Sequence, residues 1–296
     1  MSGDAFNVAL ALEMHLGEGP LWHASRGLQY WVDINGFALH HLDPVTGEHA
    51  YVVFDEEITC VAPGPDGRLI AACRSGLWQL DEADRKAGCL VEAPYETTDH
   101  RFNDGGCDPA GRFWIGAMNE RVDNRDASLY RYDGDTLVTA IPDMTITNGL
   151  AFSPDGAWLY HTDTPTRVIR RHAFDRKTGE IDAGQTWIDL NQLDIEGSPD
   201  GAAVDTNGDY WTALFGGAAV ARFDADGELV ARYPLNALQP TMPCFGGPDR
   251  RTLYVTTARE AMTAEDVARW PDSGALLSMP VETPGLAITP FCGTKG

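Results

Sequence analysis

Short apolar runs, some alternating and some continuous, recur along the whole chain and are broken at close intervals by turns containing Gly or Asp. The most regular unit is a small turn followed by an aromatic and β-branched run. It appears as SRGLQYWVD (25–33), PDGRLIAA (65–72), PAGRFWIGA (109–117), PDGAWLYHT (154–162), TNGDYWTAL (206–214) and PDRRTLYVT (248–256). The copies stand about 40 to 52 residues apart, the period of propeller blades. Most are followed by a second run ending in its own turn, such as LHHLDPVTGE, LYRYDGD and ARFDADGEL. Each repeat therefore offers three or four short strands with tight Asp/Gly turns, the pattern of a four-stranded antiparallel blade.

The chain is predicted to form an all-β, six-bladed β-propeller, with residues 1–296 as a single domain. The competing reading is an ordinary sandwich with similar hairpins, which six evenly spaced matches argue against. The leftover apolar segment AFNVALALEM (5–14) is expected to add a strand to the last blade, closing the ring and removing an exposed edge.

Blades are related by rotation, so residues at one offset in each repeat are expected to share a ring around the axis. Eight residues before the turn Gly or its equivalent stand Thr59, Asn103, Asn148, Asp200 and Met242, with Glu18 one residue further out in the first copy. Each precedes a run of small residues suited to a crowded innermost strand. The register thus gathers Glu18, Asn103, Asn148 and Asp200 at one mouth of the central channel. Converging carboxylates in a narrow cavity are costly unless something pairs with them. Two acids and two amide oxygens form a hard ligand set that suits Ca²⁺, Mn²⁺ or Mg²⁺ and leaves Zn²⁺ or Fe²⁺ open. Taken singly, Glu18 in GEGP, Asn148 in TNG and Asp200 in SPDG each also read as turn residues. Asp200 is out of phase with the true turn of its blade, at 206–208, which favours a functional role.

Composition narrows the partners. A formal net charge of −22 argues against nucleic acid and anionic membranes and favours a neutral small-molecule substrate. The beginning of the sequence lacks a basic-then-apolar leader, and no apolar run approaches the roughly 20 residues needed to span a bilayer. Six cysteines without CxxC spacing read as reduced thiols, so a cytoplasmic location is expected. Trp22, Trp114, Trp158 and Trp211 recur near the repeat anchors and are assigned to packing between blades. His161 and His172 lie on presumed strands and are expected to be structural.

Five segments give the sequence a family resemblance: LGEGPLW (16–22), RFNDGGCDPAGRFWIGAM (101–118), ITNGLAFSPDG (146–156), SPDGAAVD (198–205) and CFGGPDRRTLYVTTAR (244–259). Together they resemble the gluconolactonase/regucalcin (senescence marker protein) family of six-bladed propellers over nearly the whole chain. The resemblance implies one divalent cation held by Glu18, Asn148 and Asp200. It also implies that Arg101 and Asn103 contact cation-bound water or sugar hydroxyls. The loop from Asn119 to Ser128 is expected to cover the site. There AMNER places Glu120, a candidate substrate contact, before Arg121 where some relatives carry consecutive acids.

The activity so implied is hydrolysis of an aldonolactone (xylono-, arabinono-, galactono- or gluconolactone) to its sugar acid, with Asp200 as general base. No GxSxG segment calls for a serine nucleophile. The alternative is a calcium-binding regulatory protein of the regucalcin type with incidental lactonase activity. A protein-interaction propeller ranks last, because YWT occurs once and no GH…WD signature is present. The sequence leaves open the sugar and its ring size, the physiological metal and the oligomeric state.

Overall fold

The structure is a computed structural model that describes residues 5–293. Six four-stranded antiparallel sheets form a β-propeller, as the repeat pattern predicts. With blades numbered 1 to 6 in chain order, the innermost strands are Gly17–His23, Ile58–Pro63, His100–Cys107, Thr147–Phe152, Ser198–Val204 and Gln239–Gly246. Each lies beside the next, and the sixth lies beside the first. Blade 6 is assembled from both ends of the chain, with Asn7–Leu10 as its outer strand and Asn7 opposite Ser278. The expected closing strand is therefore present, as four residues of the segment 5–14.

Burial falls from the axis outward, and the sequence follows it. The innermost strand GEGPLWH is buried at every position, because neighbouring blades cover both faces. The outer strands HAYVV (His49–Val53) and LVARYP (Leu229–Pro234) are only partly buried and carry exposed side chains. Trp31, Trp114 and Trp211 are among the largest fully buried side chains.

The turns that mark the repeats are tied to this core. In blade 3, Asp108 Oδ1 accepts from the Ala110 and Arg112 amides, fixing the turn, while Oδ2 accepts from Trp114 Nε1 at 3.0 Å. Blade 5 repeats the device: Asp205 Oδ1 takes the Asn207 and Asp209 amides and Oδ2 takes Trp211 Nε1 at 3.0 Å. Both carboxylates are fully buried, so these bonds offset a desolvation cost of about 1–3 kcal/mol per group. Two of the tryptophans assigned to packing, Trp114 and Trp211, thus also anchor turns.

The repeats do not extend to the end of the chain. The last strand of blade 6 stops at Pro280, and the following segment runs as a strap across the face where the innermost strands end. Val281 and Gly285 donate to Arg251 and Arg250 of blade 6, and Leu286 to Val204 of blade 5. Phe291 N donates to Pro63 O of blade 2 at 2.7 Å and Cys292 N to Gly111 O of blade 3 at 3.0 Å. The only α-helix among the described residues, Ala264–Arg269, is capped by Thr263, and no described helix is long and apolar enough to cross a membrane.

Candidate active site

The site is built from irregularities at the start of the innermost strands. Every one slips register against its neighbour there: between Glu18 and Leu21, Ile58 and Cys60, Phe102 and Gly105, Asn148 and Ala151, Pro199 and Ala202, and Pro240 and Met242. A bulge leaves residues unpaired and re-aims their side chains. Glu18 and Asn148 stand at the first position of their bulges, while Asn103, Asp104 and Asp200 lie within theirs.

Blade 6 has a shorter bulge, which places Thr241 rather than Met242 at the irregular position. Met242 instead packs beside Gly201 and lines the channel below. Thr59 turns its hydroxyl to Ala72 O at 3.3 Å and adds nothing to the polar cluster.

Glycines after two of these side chains make the convergence possible. Gly19 (φ +51°) follows Glu18 and Gly149 (φ +65°) follows Asn148, both in the left-handed region. A Cβ on Gly149 would lie 2.5 Å from Tyr210 Oη. The GEG and TNG segments therefore do contain turn-like backbone, as their bland readings hold, and that backbone is what brings the preceding side chain to the axis.

A hydrogen-bonded chain crosses three blades. Arg101 Nη1 donates to Asn103 Oδ1 at 2.7 Å, and Asn103 Nδ2 donates to Asn148 Oδ1 at 2.8 Å and to Thr147 O at 3.0 Å. Asn148 Nδ2 donates to Thr164 Oγ1 at 2.9 Å, and that hydroxyl donates to Pro199 O, next to Asp200, at 2.9 Å. Glu18, Arg101, Asn103, Asn148 and Asp200 are all buried.

Electrostatics link the two acids to this chain. Burial, followed by the charge of Asp104, raises the pKa of Glu18 well above the carboxylate range. Burial, then Glu18, then Asp104 do the same to Asp200. Arg101 is also buried, and desolvation lowers its pKa against the pull of Glu120 and Glu18.

Asp104 is a member of the cluster that the repeat register did not select. Its Oδ2 accepts from Leu150 N at 2.8 Å, its Oδ1 has no partner, and burial lifts its pKa to about 6. Its signal was its place in RFNDGG beside Asn103, which a two-residue bulge turns inward together with its neighbour.

Glu120 begins the loop that follows the second strand of blade 3. Its carboxylate is held in a two-pronged pair by Arg74, with Nη1 to Oε2 and Nη2 to Oε1 both at 2.8 Å, and stands 3.6 Å from Arg101 Nε. The rest of the loop is fastened to its surroundings: Arg121 to Asp99, His100 to Asp126 and Arg125 to Asp163. Arg74 was also missed, since CRSG at 73–76 reads only as a hairpin turn.

Beyond the bulges the channel widens into an apolar chamber of about 300 Å³. Leu21, Val61, Phe152, Val204 and Phe245 line it, with strap residues Leu286 and Ile288. It has the volume for a small ligand but lacks the carboxylates and the arginine, so the chemistry belongs to the polar mouth.

That mouth presents a donor set fit for a hard cation. Glu18 and Asp200 are two buried carboxylates, both driven toward the neutral form by burial and by the charge of Asp104, and Asp200 also by that of Glu18, a conflict that a divalent cation between them would relieve. Asn148 Oδ1 accepts one hydrogen bond and keeps a second lone pair. Among the described residues no three His, Cys, Asp or Glu side chains form a metal cluster, so any site here mixes two carboxylates with an amide.

Comparison with known proteins bears on the fold and the family. Residues 16–259 match the SMP-30/Gluconolactonase/LRE-like region. The 6-deoxy-6-sulfogluconolactonase of Pseudomonas putida is 40% identical over 279 residues, covering 94% of this chain and 95% of the relative. A pentonolactonase of Haloferax volcanii is 37% identical over 246 residues, covering 82% and 81%. Among solved structures, the calcium-binding protein regucalcin of Agrobacterium tumefaciens superposes with a TM-score of 0.93 at 30% identity and covers 97% of both chains. With its blades, its bulges and the five sequence segments in order, the chain belongs to the SMP-30/gluconolactonase/LRE-like family.

Proposed function

We propose that this chain is a metal-dependent hydrolase that opens an aldonolactone to the corresponding sugar acid. The observation that carries the reading is the gathering of two buried carboxylates and an amide oxygen at one channel mouth, beside the Arg101–Asn103 pair. Glu18, Asn148 and Asp200 are the residues that hold the cation. When bound, a divalent cation supplies Lewis acidity toward a carbonyl oxygen and offsets negative charge that develops there.

The chain's own groups do the rest. Arg101 and Asn103 orient ring hydroxyls, with Glu120 as an acceptor at the rim. Asp200 takes a proton from the water that attacks the lactone carbonyl carbon. As the ring C–O bond breaks, the departing ring oxygen recovers that proton, leaving a hydroxy acid. The Arg101 guanidinium then faces the new carboxylate. A neutral lactone suits a mouth already rich in Glu18, Asp104, Asp200 and Glu120. A reducing, cytoplasmic setting is part of the reading, since all six cysteines are unpaired.

The all-oxygen donor set equally suits tight calcium binding without turnover, as in a regulatory protein of the regucalcin type. One assay separates the two. The chelated protein is given a panel of glucono-, xylono-, arabinono- and galactonolactones, each divalent metal is returned in turn, and acid release above the spontaneous rate is followed. Metal-restored turnover of at least one lactone is expected. Calcium binding with no turnover of any would leave only the regulatory reading.

A further inference from the structure

We propose that Arg74 is a positioning residue that holds Glu120 as a fixed acceptor for the substrate's hydroxyl groups. The inference rests on the lactone reading and adds to it a residue from a different blade.

Arg74 sits in the hairpin turn after the second strand of blade 2, on the face that carries the site. Its guanidinium is saturated. Nε and Nη2 grip Glu57 at 2.7 and 2.9 Å, and Nη1 and Nη2 grip Glu120 at 2.8 Å each. Nη1 also reaches the carbonyls of Thr97 at 2.8 Å and His100 at 3.1 Å. No nitrogen is left for a ligand, so Arg74 acts only through what it holds.

The geometry shows what that is. Glu57 is the less exposed of the two acids, at 19%, and anchors the guanidinium from behind. Glu120 retains 35% exposure, and its Oε1 lies 3.6 Å from Arg101. A long acidic side chain at the start of a surface loop would otherwise sample many rotamers and lose entropy on binding. The planar fork fixes both carboxylate oxygens at once, which an ammonium cannot do. The outward lone pairs of Glu120 are then presented beside Arg101 as acceptors for hydroxyl donors. A lactone without hydroxyls gains nothing from this arrangement.

The test compares wild type, R74K, R74Q, E120Q and R74Q/E120Q, each metal-loaded, on glucono-δ-lactone and on δ-valerolactone, which has no hydroxyls. For R74Q the expected result on gluconolactone is a KM raised about tenfold with kcat within about twofold. The change on valerolactone should stay within about twofold, and R74K should recover only part of the loss. In the E120Q background R74Q should cost little more, because both changes remove the same interaction. Equal losses on both lactones, or additive losses in the double variant, would mark Arg74 as merely structural and overturn the proposal.

A readout independent of turnover is the calorimetric affinity for anhydroglucitol, a cyclic polyol with no carbonyl. Wild type should bind it about tenfold more tightly than R74Q, and equal affinities, or no binding to either, count against the proposal. Binding that R74Q weakens, in a protein that opens no lactone, would leave Arg74 in its role and remove the hydrolase reading instead.

Discussion

Asn103 of blade 3 donates to Asn148 Oδ1 of blade 4 across 2.8 Å, and so aims a neighbour's oxygen at the channel mouth. If Asn148 is a ligand, Asn103 sets its orientation without itself binding the ion. Replacing the partner that orients a ligand typically costs about 10- to 100-fold in metal affinity. Asn103→Ala is expected to weaken divalent binding by that amount, measured by titration calorimetry on the chelated protein. An unchanged affinity would show that the Asn103–Asn148 contact does not tune the site.

Asp200 is buried, and its carboxyl is pushed toward the neutral form by desolvation and by Glu18. Asp200→Asn removes that conflict while keeping the shape. Turnover is expected to fall about 100- to 10,000-fold. The metal-free variant should melt at or above the metal-free wild type, because one unfavourable buried acid is gone. Near-normal turnover would take Asp200 out of the mechanism, and a markedly lower melting point would assign it a structural task.

The Asp–Trp anchors give a test away from the site. Trp211→Phe keeps most of the apolar area but strips Asp205 Oδ2 of its 3.0 Å donor, leaving Arg222 at 3.6 Å. A fully buried carboxylate oxygen that loses a donor costs about 1–3 kcal/mol. Urea unfolding should show that loss with an unchanged denaturant slope. A change below a few tenths of a kcal/mol would mean that the arginine alone satisfies the acid.

The paired histidines of blade 4 predict an acid-sensitive term in stability. His161 and His172 meet at 2.9 Å between Nε2 atoms, buried between strands of the blade. Burial, and then the neighbouring His172, hold His161 at about 3, against an ordinary value of 6.5. In the unfolded chain His161 takes up a proton near the ordinary value, but in the folded chain only near the lowered one. Its contribution is therefore complete above pH 6.5 and is lost as pH falls toward 3. The slope is about 1.4 kcal/mol per pH unit for one proton. His161→Gln should flatten the stability difference between about pH 7 and about pH 5, followed by urea unfolding. An equally steep difference in the variant would place the acid sensitivity elsewhere.

The extent to which these features could be read from the sequence follows from how they are built. Six blades and the shared mouth of Glu18, Asn103, Asn148 and Asp200 follow the turn period, and repetition is visible in one dimension, while the closing strand Asn7–Leu10 is legible as the apolar segment left over from it. Met242 and Asp104 show where that method ends. A bulge of one residue or two decides which neighbour faces inward, and this depends on pairing with the adjacent strand. The Arg74 clamp is invisible for another reason: it joins residues 57, 74 and 120 of two blades through side-chain contacts that the turn period does not encode. The strap carries no repeat and no motif, and its register is set by carbonyls on four different blades.

That strap has a kinetic consequence. Leu286 and Ile288 line the chamber on the far side with apolar surface, which disfavours passage of a polyhydroxylated reactant or an anionic product that way and leaves the polar mouth as their shared doorway. An aldonate slow to depart therefore obstructs the next arrival, so inhibition by the accumulated acid should compete directly with the lactone. The negative rim, by repelling that anion outward, becomes part of what keeps the enzyme cycling.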